Sequence, residues 1–72
     1  MMEKKEKLEK IEKAIERVMK DIASYKEALE YMETIKNYPD KEKHRKWFEE
    51  DIAEHSIVLD CLNEYKEVIE NA

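Results

Sequence analysis

The feature that most constrains the fold is a row of apolar residues spaced alternately by three and four positions along the first half of the chain. The row consists of Leu8, Ile11, Ile15, Val18, Ile22, Tyr25, Leu29 and Met32. A β-strand needs apolar residues at every second position, whereas a seven-residue repeat kept over four heptads places one narrow stripe along a helix. Such a stripe faces another helix along its whole length. The sequence therefore predicts an all-α fold.

The composition agrees with long helices. Charged residues make up 46% of the 72 residues, and the chain has no glycine and one proline. This composition is typical of coiled coils, and intrinsic disorder is the competing interpretation of so charged a chain. The heptad stripe favours folded helices, because disordered segments rarely keep apolar residues in register. We predict a single domain over residues 1–72.

One proline divides the chain into two helices. Pro39 disfavours the α conformation at Tyr38 and is well suited to the first turn of a following helix. We expect helix 1 over about residues 3–36, a turn at 37–39 and helix 2 over about 39–70. So short a turn makes the helices antiparallel neighbours. Whether helix 2 breaks near Ser56, a residue that favours N-caps, stays open at this point.

The two halves can be aligned by folding the chain at the turn, so that residues whose numbers add to about 77 face each other. This alignment pairs Leu29 with Phe48 and Val18 with Leu59. Apolar residues meet at nearly every layer, with His55 as a polar residue in the stripe. We expect His55 to be a hydrogen-bonded core residue that fixes the register rather than a metal ligand. The prediction is an antiparallel, coiled-coil-like two-helix hairpin.

Helix 2 has more apolar residues than one stripe uses. A second row lies beside the first and consists of Trp47, Val58, Cys61, Tyr65 and Val68. Chains below about 80 residues struggle to build a sufficient core alone. We therefore predict homo-oligomerisation through these residues, most simply a dimer that forms a four-helix bundle. Two alternatives stay open: the second row widens the core of a monomer, or it is the docking face for a different protein.

The charges are unevenly distributed. Residues 1–39 have no net charge, residues 40–48 carry +2, and residues 49–72 carry −7. Helix 2 thus has bases near its start and acids near its end, which is opposite to the preference of the helix dipole. The acidic half lies beside the lysine-rich start of helix 1, and this proximity helps to select the antiparallel register. The sequence offers no such compensation for the basic end.

The basic end of helix 2 is the first candidate binding site. It contains Tyr38, Lys43, His44, Arg45, Lys46 and Trp47. Cations beside aromatic rings can hold phosphates and stack a base, so one hypothesis is an anionic ligand such as a nucleotide at the hairpin tip. The competing interpretation is a solvated tip whose tryptophan packs into the core. Duplex nucleic acid is disfavoured, because the acidic remainder of the protein would repel it.

The acidic face of helix 2 is the second candidate. Its members are Glu49, Glu50, Asp60, Glu64 and Glu67. An array of carboxylates can imitate phosphates and occupy a nucleic-acid-binding protein, although a charged helix face is more often only a solvated surface. Mimicry of nucleic acid is therefore a further alternative.

The remaining patterns disfavour catalysis. The sequence has no glycine-rich phosphate loop and no nucleophile elbow, so we expect no catalytic residue, no cofactor and no metal site. A lone cysteine and a charged N-terminus without a signal-peptide pattern are typical of a cytoplasmic protein, and no segment is apolar enough to span a membrane. The leading hypothesis is a non-enzymatic protein–protein interaction module that acts as an inhibitor, adaptor or regulator.

Overall fold

A computed structural model describes residues 3–72 as two long helices packed against each other. Helix α1 spans Lys4–Thr34 and helix α2 spans Lys41–Glu70. The predicted all-α hairpin is confirmed, and α2 continues through Ser56 without a break. The hairpin is thin and elongated, with extents of 54 × 16 × 15 Å.

The connection between the helices is longer than the predicted three residues. Helix α1 ends at Thr34, because Ile35 leaves the helical conformation (φ −83°, ψ 116°) while its N–H donates to the Met32 carbonyl at 3.1 Å. The Thr34 hydroxyl donates to the Tyr31 carbonyl at 2.6 Å and so satisfies another acceptor of the last turn. Helix α1 therefore stops two residues earlier than expected from Pro39 alone.

Helix α2 begins at Lys41 instead of Pro39, because Asp40 adopts a left-handed conformation (φ 52°, ψ 39°). An αL residue interrupts the right-handed spiral, so Pro39 lies before the helix. Aspartate tolerates this region better than most residues, and the chain has no glycine to take its place. The Asp40 carbonyl still accepts the first helical hydrogen bond, from His44 N–H at 3.0 Å.

Contacts between the helices fix the antiparallel register. Salt bridges join Glu33 to Arg45 and Glu12 to Lys66, and His55 Nε2 lies 3.9 Å from Asp21 Oδ2; the residue numbers of these pairs add to 78, 78 and 76. These values agree with the predicted alignment. At the end opposite the turn, the Lys4 ammonium donates to the carbonyls of Glu70 (2.9 Å) and Ala72 (3.3 Å), where a cation complements the C-terminal end of α2.

The apolar stripes of the two helices form one seam between them. Ile11, Met32 and Ile69 are buried, and the other apolar seam residues are half-buried. Near the middle, the Tyr25 ring contacts Phe48 (centroids 6.5 Å) and meets His55 edge-on at 5.1 Å. The seam is thus a single narrow line of contact, which leaves both sides of the hairpin open to solvent.

Candidate functional site

The hairpin tip brings the predicted aromatic and imidazole groups together. The Tyr38 hydroxyl and His44 Nδ1 share a hydrogen bond of 2.7 Å, and the two rings meet edge-on with centroids 5.3 Å apart. On its other side, His44 stacks on Trp47 at 5.0 Å with an angle of 22° between the planes. The i,i+3 spacing of His44 and Trp47 on α2 produces this stack. The three rings form one continuous aromatic cluster.

The cations of the tip are largely engaged within the hairpin. Arg45 binds Glu33 through two hydrogen bonds, Nε to Oε1 at 2.6 Å and Nη2 to Oε2 at 3.0 Å, and it donates a third to Glu42 at 3.0 Å. Lys43 Nζ lies 5.0 Å from the centre of the Trp47 ring, within range of a cation–π contact. Lys46 is exposed. An arriving anion would have to compete with two carboxylates for the guanidinium.

The electrostatics of this ion pair favour both charged forms. The hydrogen bond from Arg45, together with the charges of Arg45 and Lys41, lowers the pKa of Glu33 below its ordinary value. The pKa of Arg45 is raised above its ordinary value, chiefly by the hydrogen bond to Glu33 and then by the one to Glu42. The pair therefore stays ionised and paired at neutral pH. Sequence reasoning overlooked Glu33. The predicted alignment of the two helices places Glu33 opposite Arg45 and could have identified the pair.

The second predicted surface, the row on α2, lies exposed along the side of the hairpin. We call Trp47, Val58, Cys61, Tyr65 and Val68 the apolar flank. Tyr65 is 55% exposed and Val68 is 65% exposed, while Trp47, Val58 and the free Cys61 are also exposed. Ile57, further round the same helix, is exposed as well. The apolar flank does not widen the core of the single chain.

His55 occupies its predicted place in the seam. Its Nδ1 donates to the backbone carbonyl of Asp51 at 2.8 Å, and its Nε2 lies 3.9 Å from Asp21 Oδ2. The bond to the carbonyl fixes the proton on Nδ1 and turns Nε2 toward α1. Among residues 3–72, no group of three or more histidine, cysteine, aspartate or glutamate side chains is arranged to hold a metal ion.

A shallow groove of about 260 Å³ that sequence reasoning missed lies between the helices. It is lined by Met19, Ile22, Ala23, Lys26 and Leu59. Small-molecule sites usually enclose roughly 300–1,000 Å³, so the groove falls below that range. The i,i+4 spacing of Met19 and Ala23 beside the seam was the signal that could have indicated it.

The five acidic residues of the predicted mimic, Glu49, Glu50, Asp60, Glu64 and Glu67, are all exposed. Neither helix described over residues 3–72 has an apolar stretch long enough to cross a lipid bilayer.

Comparison with known proteins gives no relative: no protein-family model, no curated protein and no solved structure matches the chain.

Proposed function

We propose that the chain is a non-enzymatic protein–protein interaction module, a helical hairpin that self-associates and acts on another macromolecule as an inhibitor, adaptor or regulator. The observation that carries the proposal is the exposure of the apolar flank. Aromatic and aliphatic side chains that are exposed side by side on one helix face often mark an interaction surface. Exposed apolar residues without such a role are usually scattered singly over a protein surface. Tyrosine and tryptophan are also the residue types enriched at protein interfaces.

The overall shape supports the same proposal. The accessible surface of the chain is 5979 Å². A compact monomer of 8.8 kDa would expose about 4,800 Å². The radius of gyration is 16.5 Å, against roughly 11 Å for a globular chain of this length. A single hairpin therefore leaves in water much of the surface that a folded domain of its size would cover.

Removing side chains from the apolar flank tests the proposal. The double substitution Val58→Ala and Tyr65→Ala should lower the mass measured by sedimentation from an oligomer toward the 8.8 kDa monomer. Met19→Ala is the matched control, because Met19 is an equally exposed apolar residue outside the apolar flank. A monomeric wild type, or an oligomer that survives the double substitution, would contradict self-association through this surface.

Capture from native lysate addresses the macromolecular partner. Immobilised wild type and Met19→Ala should retain the same protein, and the Val58→Ala, Tyr65→Ala variant should lose it. Circular dichroism of the three proteins should show equal helicity, so that loss of capture reports the surface and not unfolding. Identical capture by all three would show that the apolar flank does not bind the partner.

A further inference from the structure

The middle of the hairpin is packed less closely than its two ends. Among residues 3–72, the buried seam residues lie toward the ends, with Ile11 and Ile69 far from the turn and Met32 close to it. The apolar seam residues between them are half-buried, and the shallow groove opens beside Ile22 and Leu59. Because apolar burial contributes less to stability at this level, a polar contact between the helices has more weight here than at the ends.

His55 lies in this middle section and points one ring nitrogen at a carboxylate of the other helix. Its Nδ1 donates to the Asp51 carbonyl at 2.8 Å, so Nε2 is the nitrogen that faces α1. Nε2 is 3.9 Å from Oδ2 of Asp21. On the neutral imidazole, Nε2 carries a lone pair and no proton, so it cannot donate to the carboxylate. The neutral ring and Asp21 are therefore neighbours without a hydrogen bond.

We propose that His55 and Asp21 form a proton-dependent clasp between the two helices. When the imidazole takes up a proton, Nε2 gains an N–H and the ring gains a positive charge beside the Asp21 carboxylate. The two side chains are 29% and 49% exposed, so both have room to move. A shift of about 1 Å brings the nitrogen and the oxygen to the roughly 2.9 Å of a charge-assisted hydrogen bond. The clasp is closed in mildly acidic solution and open above neutrality.

The groups of α1 beside the ring suit this role. Asp21 is the carboxylate that faces Nε2, and the neutral Tyr25 ring meets the imidazole edge-on with centroids 5.1 Å apart. Arg17 lies one turn before Asp21 on the same helix. Among residues 3–72, no lysine or arginine nitrogen lies within 4.0 Å of Asp21. No described cation therefore occupies the carboxylate that the protonated ring would bind.

The charged neighbours of His55 on α2 are carboxylates as well. Asp51 and Glu54 come four positions and one position before it. Within the described part of the chain, neither carboxylate has a lysine or arginine nitrogen within 4.0 Å. A positive charge on the ring thus has anionic neighbours on both helices.

The pH dependence of the clasp has a definite sign. Histidine ordinarily takes up its second ring proton near pH 6.5, whereas aspartate stays ionised down to about pH 4. The clasp therefore contributes to stability between these values, and the contribution is lost as the pH rises above neutrality. Because both side chains are partly exposed, its size is that of a surface ion pair, about two- to five-fold in the unfolding equilibrium constant. The contact lies within one hairpin and does not depend on the proposed self-association.

A double-mutant cycle at two pH values tests the clasp. Unfolding equilibrium constants of wild type, Asp21→Asn, His55→Asn and the double variant are measured in urea at about pH 5.5 and about pH 8, on either side of the usual histidine titration. Asparagine at position 55 retains an amide donor for the Asp51 carbonyl and has no group at the place of Nε2. With His55 present, Asp21→Asn should raise the unfolding constant about two- to five-fold more at the lower pH. With His55→Asn, its effect should be equal at both pH values.

Asp60→Asn is the matched control, because Asp60 is an exposed aspartate without an ion pair in the described part of the chain. Its effect should be equal at the two pH values, and the titration of His44 cancels because all variants keep this residue. Coupling of equal size at both pH values, or no coupling at either, overturns the inference. If His55→Asn does not fold, the other two variants still decide: an equal response of Asp21→Asn and Asp60→Asn to pH overturns the clasp.

Discussion

Truncation of one buried methionine should destabilise the hairpin far more than the same change at an exposed one. Met32 is 2% exposed in the seam, whereas Met19 is 56% exposed beside it. Replacing a buried methionine by alanine costs about 2–5 kcal/mol, because the removed groups contribute about 0.8 kcal/mol for each buried methylene and the cavity adds more. Since Met19 already contacts water, Met19→Ala should cost less than about 1 kcal/mol.

The size of this difference relative to the total stability makes the experiment decisive. A core in a chain below 80 residues rarely supplies more than about 3–5 kcal/mol. Met32→Ala should therefore leave much of the protein unfolded at room temperature, while Met19→Ala remains folded. Thermal unfolding by circular dichroism measures both, with a shift of about 4–8 °C expected for each kcal/mol in a domain of this size.

The comparison is made at one protein concentration, because self-association would add a concentration-dependent contribution to both melting temperatures. The two substitutions have identical chemistry and lie on the same helix, so their intrinsic effects on helix formation cancel. Equal melting temperatures for the two variants would show that Met32 is not enclosed between the helices. The register that places it in the seam would then be wrong.

Three further predictions concern the tip. Asp40→Gly should raise the free energy of unfolding in urea by about 1 kcal/mol, because glycine adopts the positive φ of this position without strain, and Asp40→Val should lower it by a similar amount. Tyr38→Phe should cost about 0.5–1.5 kcal/mol by removing the half-buried hydrogen bond to His44. The third concerns Glu33, whose pKa is lowered below 4.5 by the hydrogen bond and charge of Arg45. The stability from this pair is complete above pH 4.5 and is lost as the pH falls through the lower folded-state pKa, so Glu33→Gln should be less stable than wild type at pH 7 and the difference should shrink as the pH falls below 4.5. A difference that stays constant over this range would contradict the assigned pairing.

The heptad stripe contained most of the information about the fold. The alternating spacing from Leu8 to Met32 predicted the helix, and the alignment across the turn predicted the register that the Glu12–Lys66 contact shows. Helix ends were less predictable. The left-handed conformation of Asp40 depends on how the chain must reverse between two packed helices, and that requirement is not written in the residues next to it.

The candidate site was predictable in its members but not in their contacts. The sequence indicated that His44, Arg45 and Trp47 would lie near each other on α2. It did not indicate that the imidazole would stack on the indole, because side-chain rotamers depend on the packed neighbours. Nor did it indicate that Glu33 would bind the guanidinium, since such pairs form across the interface and depend on side-chain reach.

The unusual charge order of α2 now has a physical explanation at both ends. Bases near a helix start oppose the dipole, at a cost of about 0.3–1 kcal/mol for each well-placed charge. At the tip, Arg45 gains two carboxylate partners and Lys43 gains the face of Trp47, so contacts outside the backbone offset the dipole. At the far end, Lys4 of α1 binds the terminal carbonyls of α2, where α2 has no basic residue in its own last turn. Helix α2 thus receives from α1 a carboxylate near its start and a cation at its end, and both contacts form only in the antiparallel register.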